Sequence, residues 1–204
     1  MAKKKLDKNI LSKNIKKPYC LKCSIAVSGA AKTDHCALGA NKKAEEIGRE
    51  IARQGMILTT GATVGLPYWA AKGAKAEGGL VIGLSPASSE SSHLKTYKLP
   101  IDYHDIIIYT GFEYAGRNLL LTRSADAVII ICGRIGTLNE FTVAYEYGVP
   151  IGILEGTGGM ADMIKQIVKR ANKGPGKIIF SRNPKELVVK LAKMVAKEKA
   201  RNNK

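Results

Sequence analysis

Apolar and polar positions along this chain follow two periods. Short apolar runs recur at Lys22 to Val27, Met56 to Thr59, Leu80 to Gly83, Ile106 to Tyr109, Ala127 to Ile131, Ile151 to Leu154 and Ile178 to Phe180. Runs of this length, bounded by Gly, Pro and small polar residues, read as strands. Between them lie segments of helical period. Over Ala37 to Arg53, Ala40, Ala44, Ile47 and Ile51 recur at spacings of four, three and four, and Gly55 ends the pattern. That spacing marks one face of a helix. Pro67 to Ala76, Arg117 to Ser124, Thr137 to Tyr147 and Met160 to Ala171 read as further helices. Asn183-Pro184-Lys185-Glu186 opens the last one, with a cap, a first-turn proline and a glutamate placed to close a capping box. Strands alternating with helices specify an α/β fold: a doubly wound, mostly parallel sheet of about seven strands with helices on both faces. Ala127 to Ile131, apolar at every position, belongs at its centre. Residues 85–104 break the rhythm and read as a loop, either a lid or a crossing connection.

Length and composition fit that picture. A chain of 204 residues with 45% hydrophobic content suits one domain. The reading is a single domain over 19–200, a basic arm over 1–18 and a basic tail over 201–204. No apolar run reaches the ~18 residues of a membrane helix, and no apolar segment follows the basic start. The expected location is the cytoplasm, with no membrane partner. Cys20, Cys23, Cys36 and Cys132 are then expected as reduced thiols. Cys20-x-x-Cys23 followed by His35-Cys36 has the residue types of a zinc set, but Cys23 borders the strand run Ile25-Ala26-Val27, whereas a redox pair follows a strand and opens a helix, so the reading without metal or redox chemistry is preferred. No metal and no cofactor is expected. His35, His93 and His104 are scattered and read as structural.

The net charge of +16 sits mostly at the ends. Residues 1–17 hold seven lysines against one aspartate, and residues 185–204 seven basic residues against two glutamates. Solvated ends are the plain reading, and weak nonspecific contact with nucleic acid is the functional one.

The chemistry is expected beyond the carboxyl ends of the strands, where open parallel sheets bind ligands. Four turns there are rich in Gly and small polar residues: Ser28 to Ala31, Thr59 to Gly65, Tyr109 to Arg117 and Cys132 to Thr137. Glycine lets backbone N–H groups approach an anion, and a helix start adds its positive dipole end. A phosphate-bearing ligand follows. The strict GxGxxG and Walker lysine patterns are absent, so the signal is the concurrence of turns on one rim. Thr63 is placed to cap the helix after its turn. Thr137 to Glu140 reads equally as a capping box or as a phosphate turn with Glu140 facing the ligand. Arg117 and Arg123 read by themselves as surface arginines, with Asp126 a partner for the latter. Tyr68 and Trp69 read as packing.

Gly61 to Pro67 with Ala70 to Ala74, Arg117 with Ser124-Ala125-Asp126-Ala127, and Cys132 to Glu140 resemble motifs of the LOG-like proteins of the SLOG superfamily, often misnamed lysine decarboxylases. The last segment is similar to their PGGxGTxxE signature. The resemblance covers about residues 22–172 and implies a Rossmann-like fold. It also implies a homodimer and a nucleoside 5′-monophosphate or related nucleotide as ligand. The best-characterised relatives cleave the N-glycosidic bond of such nucleotides, releasing base and ribose 5-phosphate. By that resemblance Arg117 and Glu140 would be catalytic, and Ser28, Gly29, Gly61, Thr63, Gly65, Gly133, Arg134, Gly136 and Thr137 would bind ligand or phosphate. Two positions depart from the signature: Cys132 stands for its proline and Arg134 for its second glycine. These departures are similar to the divergent branch, which includes molybdenum-cofactor carriers and nucleotide sensors, so a non-catalytic carrier is the alternative to hydrolysis.

Overall fold

Side chains of a strand alternate between the two faces of its sheet, and the computed structural model, which describes residues 21–202, shows that alternation deciding the layers. The strands are β1 (Ser24–Gly29), β2 (Ile57–Thr60), β3 (Val81–Ser85), β4 (Ile106–Tyr109), β5 (Ala127–Ile131), β6 (Ile151–Leu154) and β7 (Ile178–Ser181). They form one sheet in the order β4-β3-β2-β1-β5-β6-β7. Every neighbouring pair is parallel. The helices are α1 (Ala40–Arg53), α2 (Leu66–Ala76), α3 (Glu113–Ser124), α4 (Ile135–Glu146), α5 (Gly159–Ala171) and α6 (Pro184–Asn202). The basic arm read over 1–18 lies outside the described residues, as do residues 203–204 of the tail, and α6 runs past residue 200.

Ile25, Val27, Ile129 and Ile131 point to one face, where Ile47 and Ile51 of α1, Leu66 and Ala70 of α2, and Leu187 and Leu191 of α6 cover them. Ala26, Val128 and Ile130 point to the other, beneath Leu121 of α3, Phe141 of α4 and Ile164 of α5. β5 is buried at all its positions because helices cover both faces.

The strand order reverses between β1 and β5. Strands β1 to β4 step outward on one side, and the chain then returns to place β5 against the other side of β1. Neighbouring turns diverge at such a switch point and leave a crevice at the carboxyl ends. Register fixes its floor: Gly29 lies opposite Ile131, so both strands end at one level.

Helix ends depart from expectation where tertiary contacts compete. α3 begins at Glu113, earlier than its apolar pattern suggests. α4 begins at Ile135, which puts Thr137 inside its first turn and leaves the helix with no side-chain cap. The capping box read over Thr137 to Glu140 is therefore not formed. Thr63 does not cap α2 either; Gly65 holds that position. At α6 the Asn183 side chain does accept from the Glu186 N–H, at 3.0 Å. Glu186 accepts from the Ser181 hydroxyl at 2.7 Å, and that hydroxyl in turn accepts from the Asn183 N–H. The segment 85–104 is a crossing connection with a short π-helical turn over Ser92–Thr96. His93, buried there, is bonded to Ser85 Oγ at 2.8 Å and to the Pro100 carbonyl at 3.1 Å.

Cys36 and Cys132 are joined in a disulfide, which corrects the expectation that both are free thiols. The loop before α1 folds over the end of β5 and brings them together from 96 residues apart. Cys23 is free. No described helix is long and apolar enough to cross a membrane.

Candidate functional site

At the switch point a cleft of about 270 Å³ is lined from four directions. Ser28 to Lys32 come from the end of β1, and Gly61, Thr63 and Pro67 from the β2 turn and α2. Tyr114, Arg117, Asn118 and Leu121 come from α3, and Arg134, Gly136, Thr137 and Glu140 from the β5 turn and α4. Most of the residues singled out in the sequence meet here. Gly65 and Gly133 do not line the cleft. Gly65 packs on the Ala30 and Ala31 backbone, and Leu66 N–H donates to the Ala30 carbonyl at 2.9 Å. Gly133 shapes the turn behind the cleft with φ 92, where an added Cβ would lie 2.5 Å from Thr137 Oγ1.

The centre is a buried ion pair. Arg117 Nη1 donates to Glu140 Oε1 at 3.0 Å, with the two side chains 7% and 8% exposed. Arg117 is thus no surface arginine: α3 aims it across the switch point. Gly61 makes room for it, since a Cβ at that position would come within 2.6 Å of the guanidinium carbon. The Ser28 hydroxyl donates to Glu140 Oε2. The Asn118 amide, turned with its nitrogen toward Glu140, donates to Oε1 at 3.0 Å and to the Tyr114 carbonyl at 2.9 Å. Burial pushes the Glu140 carboxyl above its ordinary range, and the Arg117 charge with the Ser28 and Arg117 hydrogen bonds opposes it. Burial likewise pulls the Arg117 guanidinium down against the Glu140 charge. Such a pair costs desolvation that only close partners offset. The Arg117 Nε–H is buried without an acceptor among the described residues.

Next to this pair, the uncapped start of α4 presents its first-turn N–H groups, which have no partner within the helix. Gly136 faces open space, with no atom within 4 Å of where a Cβ would stand. Oriented N–H groups, the dipole end and the charges of Lys32, Arg117 and Arg134 suit an anion. Arg134 lines the cleft without filling it, because its Nη2 donates to Asp34 Oδ1 at 2.9 Å and its Nε to His35 Nδ1 at 3.2 Å. Cys132 sits at φ 52, which the proline of the LOG-like signature cannot adopt. The substitution therefore changes the path of the turn as well as its side chain.

Lys32, Tyr114 and Asn118 are lining residues the sequence analysis did not assign. Tyr114, Arg117, Asn118 and Leu121 share one face of α3 at helical spacing, a signal hidden by starting that helix too late. Arg123 stacks on the Tyr147 ring, 4.0 Å from its centroid, and Asp126 instead pairs with Lys199 at 2.8 Å. Tyr68 packs edge-on against Tyr103, and Trp69 packs against the core.

Comparison with known proteins agrees with this architecture. An uncharacterised protein of Archaeoglobus fulgidus is 32% identical over 131 residues, 64% of this chain and 79% of its own length. The molybdenum cofactor binding protein of Rippkaea orientalis superposes with a TM-score of 0.70 at 29% identity, covering 87% of this chain and 99% of that one. The molybdenum cofactor carrier protein of Chlamydomonas reinhardtii gives a TM-score of 0.69 at 26% identity, covering 86% and 99%. The profile of the SLOG cluster4 family matches residues 22–188, and the chain belongs to that family.

Proposed function

We propose that the cleft binds a phosphorylated nucleotide or pterin-type cofactor and that the protein carries this ligand intact. One observation carries the choice of carrier over hydrolase: Glu140 is engaged by Ser28, Arg117 and Asn118 at once. A carboxylate so occupied is built to hold Arg117 in place, whereas glycosidic hydrolysis needs one free to meet the reacting sugar or its water. The phosphate lies at the start of α4, against Gly136 and Thr137, with Arg134 and Lys32 at the rim and Arg117 Nε–H supplying a buried donor. The molybdenum cofactor proteins of similar fold support a cargo of this class.

The test is titration with molybdenum cofactor and with a panel of nucleoside monophosphates, assaying bound ligand and free base together. Saturable binding with no base released is the expected result. Gly136→Val should weaken that binding at least tenfold with the fold intact, because the side chain enters open space over the anion site.

Retention of the Arg117–Glu140 pair favours hydrolysis as the second reading. Water would add at the ribose C1′ as the C–N bond breaks, the base leaving with its proton and the carboxylate steadying the developing positive charge. Release of base that Glu140→Gln abolishes would establish that reading and remove the carrier. A ligand-independent loss of about 3–5 kcal/mol in stability is expected in Glu140→Gln, because Arg117 is left buried without a counter-charge; activity is therefore compared at matched folded fraction.

A further inference from the structure

Behind the Arg134 rim of the cleft, His35, Cys36 and Cys132 bring three ligand atoms within 4.8 Å of one another. We propose that in the reduced protein these residues form a Zn²⁺ site with Cys36 Sγ, Cys132 Sγ and His35 Nε2 as ligands and an exchangeable water in the fourth position. Thiolate and imidazole donors select a borderline-soft d¹⁰ ion over a hard one.

The geometry is already close. Tetrahedral zinc, with bonds of about 2.3 Å to sulfur and about 2.0 Å to nitrogen, sets its N and S ligands about 3.5 Å apart. His35 Nε2 lies 3.5 Å from Cys132 Sγ. The two sulfurs must spread to about 3.8 Å, so the site exists only once the disulfide is reduced. Their backbones do not depend on that bond. Cys132 N–H donates to Thr157 Oγ1 at 2.9 Å, and Ala37 N–H to the Thr157 carbonyl at 3.0 Å. Cys36 also pairs with Gly158 in an antiparallel bridge. The segment Thr157-Gly158 therefore holds both ligand loops in register in either state. Cys36 lines a surface depression with Thr33, Leu38 and Trp69, which gives an ion a route in.

The shell around His35 must rearrange for the metal. With the disulfide formed, His35 Nδ1 accepts from Arg134 Nε, so Nε2 carries the proton and faces the Gly133 carbonyl at 3.4 Å. Metal on Nε2 requires the other tautomer, so Arg134, whose Nε and Nη2 stand 3.2 and 3.1 Å from Nδ1, must turn away and leave the Nδ1–H an acceptor. Asp34 Oδ1 stands 3.8 Å from Nδ1. A carboxylate behind a ligating histidine is the usual support for its orientation and basicity. The chemistry balances: a low-molecular-weight thiol supplies two electrons and two protons, becoming its own disulfide, and Zn²⁺ then displaces both thiol protons.

The experiment uses the full chain, reduced with a phosphine and stripped of metal, with Zn²⁺ titrated against a chromophoric chelator and Co²⁺ as a spectroscopic probe. One ion per chain is expected, with a thiolate-to-cobalt charge-transfer band. Cys36→Ser, Cys132→Ser and His35→Ala should each weaken binding by more than the ~10–100-fold that loss of a supporting contact costs, and Asp34→Asn by about tenfold. Cys132 is fully buried and its variant is vulnerable in folding, so His35→Ala, at a partly exposed position, decides with circular dichroism as the control. The Cys20→Ser/Cys23→Ser double variant should bind as the parent does. Binding lost in that double variant, or no zinc uptake by the reduced chain, overturns the proposal and leaves the pair as a disulfide alone.

Discussion

His104 shows how a single side chain ties stability to pH. Its Nδ1–H donates to the Asp102 carbonyl at 2.9 Å, and Nε2 accepts from the Thr60 hydroxyl at 2.8 Å. That hydroxyl also accepts from the Ala62 N–H at 3.1 Å, so the neutral imidazole helps hold the turn after β2. Burial is the main cause that lowers the imidazole pKa from its ordinary 6.5. A depressed histidine contributes stability that is full above the unfolded value and is lost as pH falls through the folded one. Urea midpoints should therefore decline as pH drops below about 6.5, and His104→Gln should flatten that decline. An unchanged slope in the variant would assign the dependence to other groups. Arg117 teaches a different lesson at the same scale. By sequence it is a charged residue after a glycine, and in the fold it is the buried cation around which the cleft is arranged.

Between elements, α1 and α2 lie so close that glycine is required where they touch. A Cβ on Gly48 would stand 2.7 Å from the Ala70 carbonyl carbon, and one on Gly73 would stand 2.8 Å from that of Glu45. Intrinsic propensity favours alanine at a helix interior by about 1 kcal/mol. Steric overlap with backbone costs about 1–3 kcal/mol and wins here, because neither helix can yield a side chain. Gly48→Ala and Gly73→Ala are each expected to destabilise by about that amount in denaturant unfolding. The double variant should lose less than the sum, since one separation of the helices relieves both clashes. Stabilisation by either variant would show that the helices part freely. The spacing matters for the site because α2 follows the Gly61 turn and anchors its far end.

For the whole molecule, we propose that a second copy covers part of the exposed apolar surface. Phe112, Leu119 and Leu120 around α3, with Ile106 and Ile108 on the edge strand β4, are all exposed. An accumulation of this kind marks an interaction surface more often than scattered apolar residues do. A homodimer through α3 is the expectation, and sedimentation should give twice the mass of 22.0 kDa. Leu120→Glu should shift the protein toward monomer with the cleft intact. A parent that sediments as one chain at every concentration rules the dimer out.

Alternating apolar runs and helical spacings determined the α/β class, the parallel sheet and all seven of its strands, because burial on two faces leaves its mark locally. Ile25 to Val27 announces a strand, and Ala127 to Ile131 a central one, without help from the rest of the chain. Small-residue turns also marked the rim where the cleft lies, since close approach of one backbone to another group needs glycine wherever it occurs. Partnership was decided only in three dimensions. Thr137 was free to cap or to face a ligand until α4 began at Ile135, and Glu140 had no visible partner until β1 and α3 brought Ser28, Arg117 and Asn118 to it. Cys36 and Cys132 are far apart in the chain and meet because the sheet reverses its strand order between β1 and β5. Periodicity records which way a side chain faces, whereas the pairing of residues distant in sequence is set by how the strands are ordered.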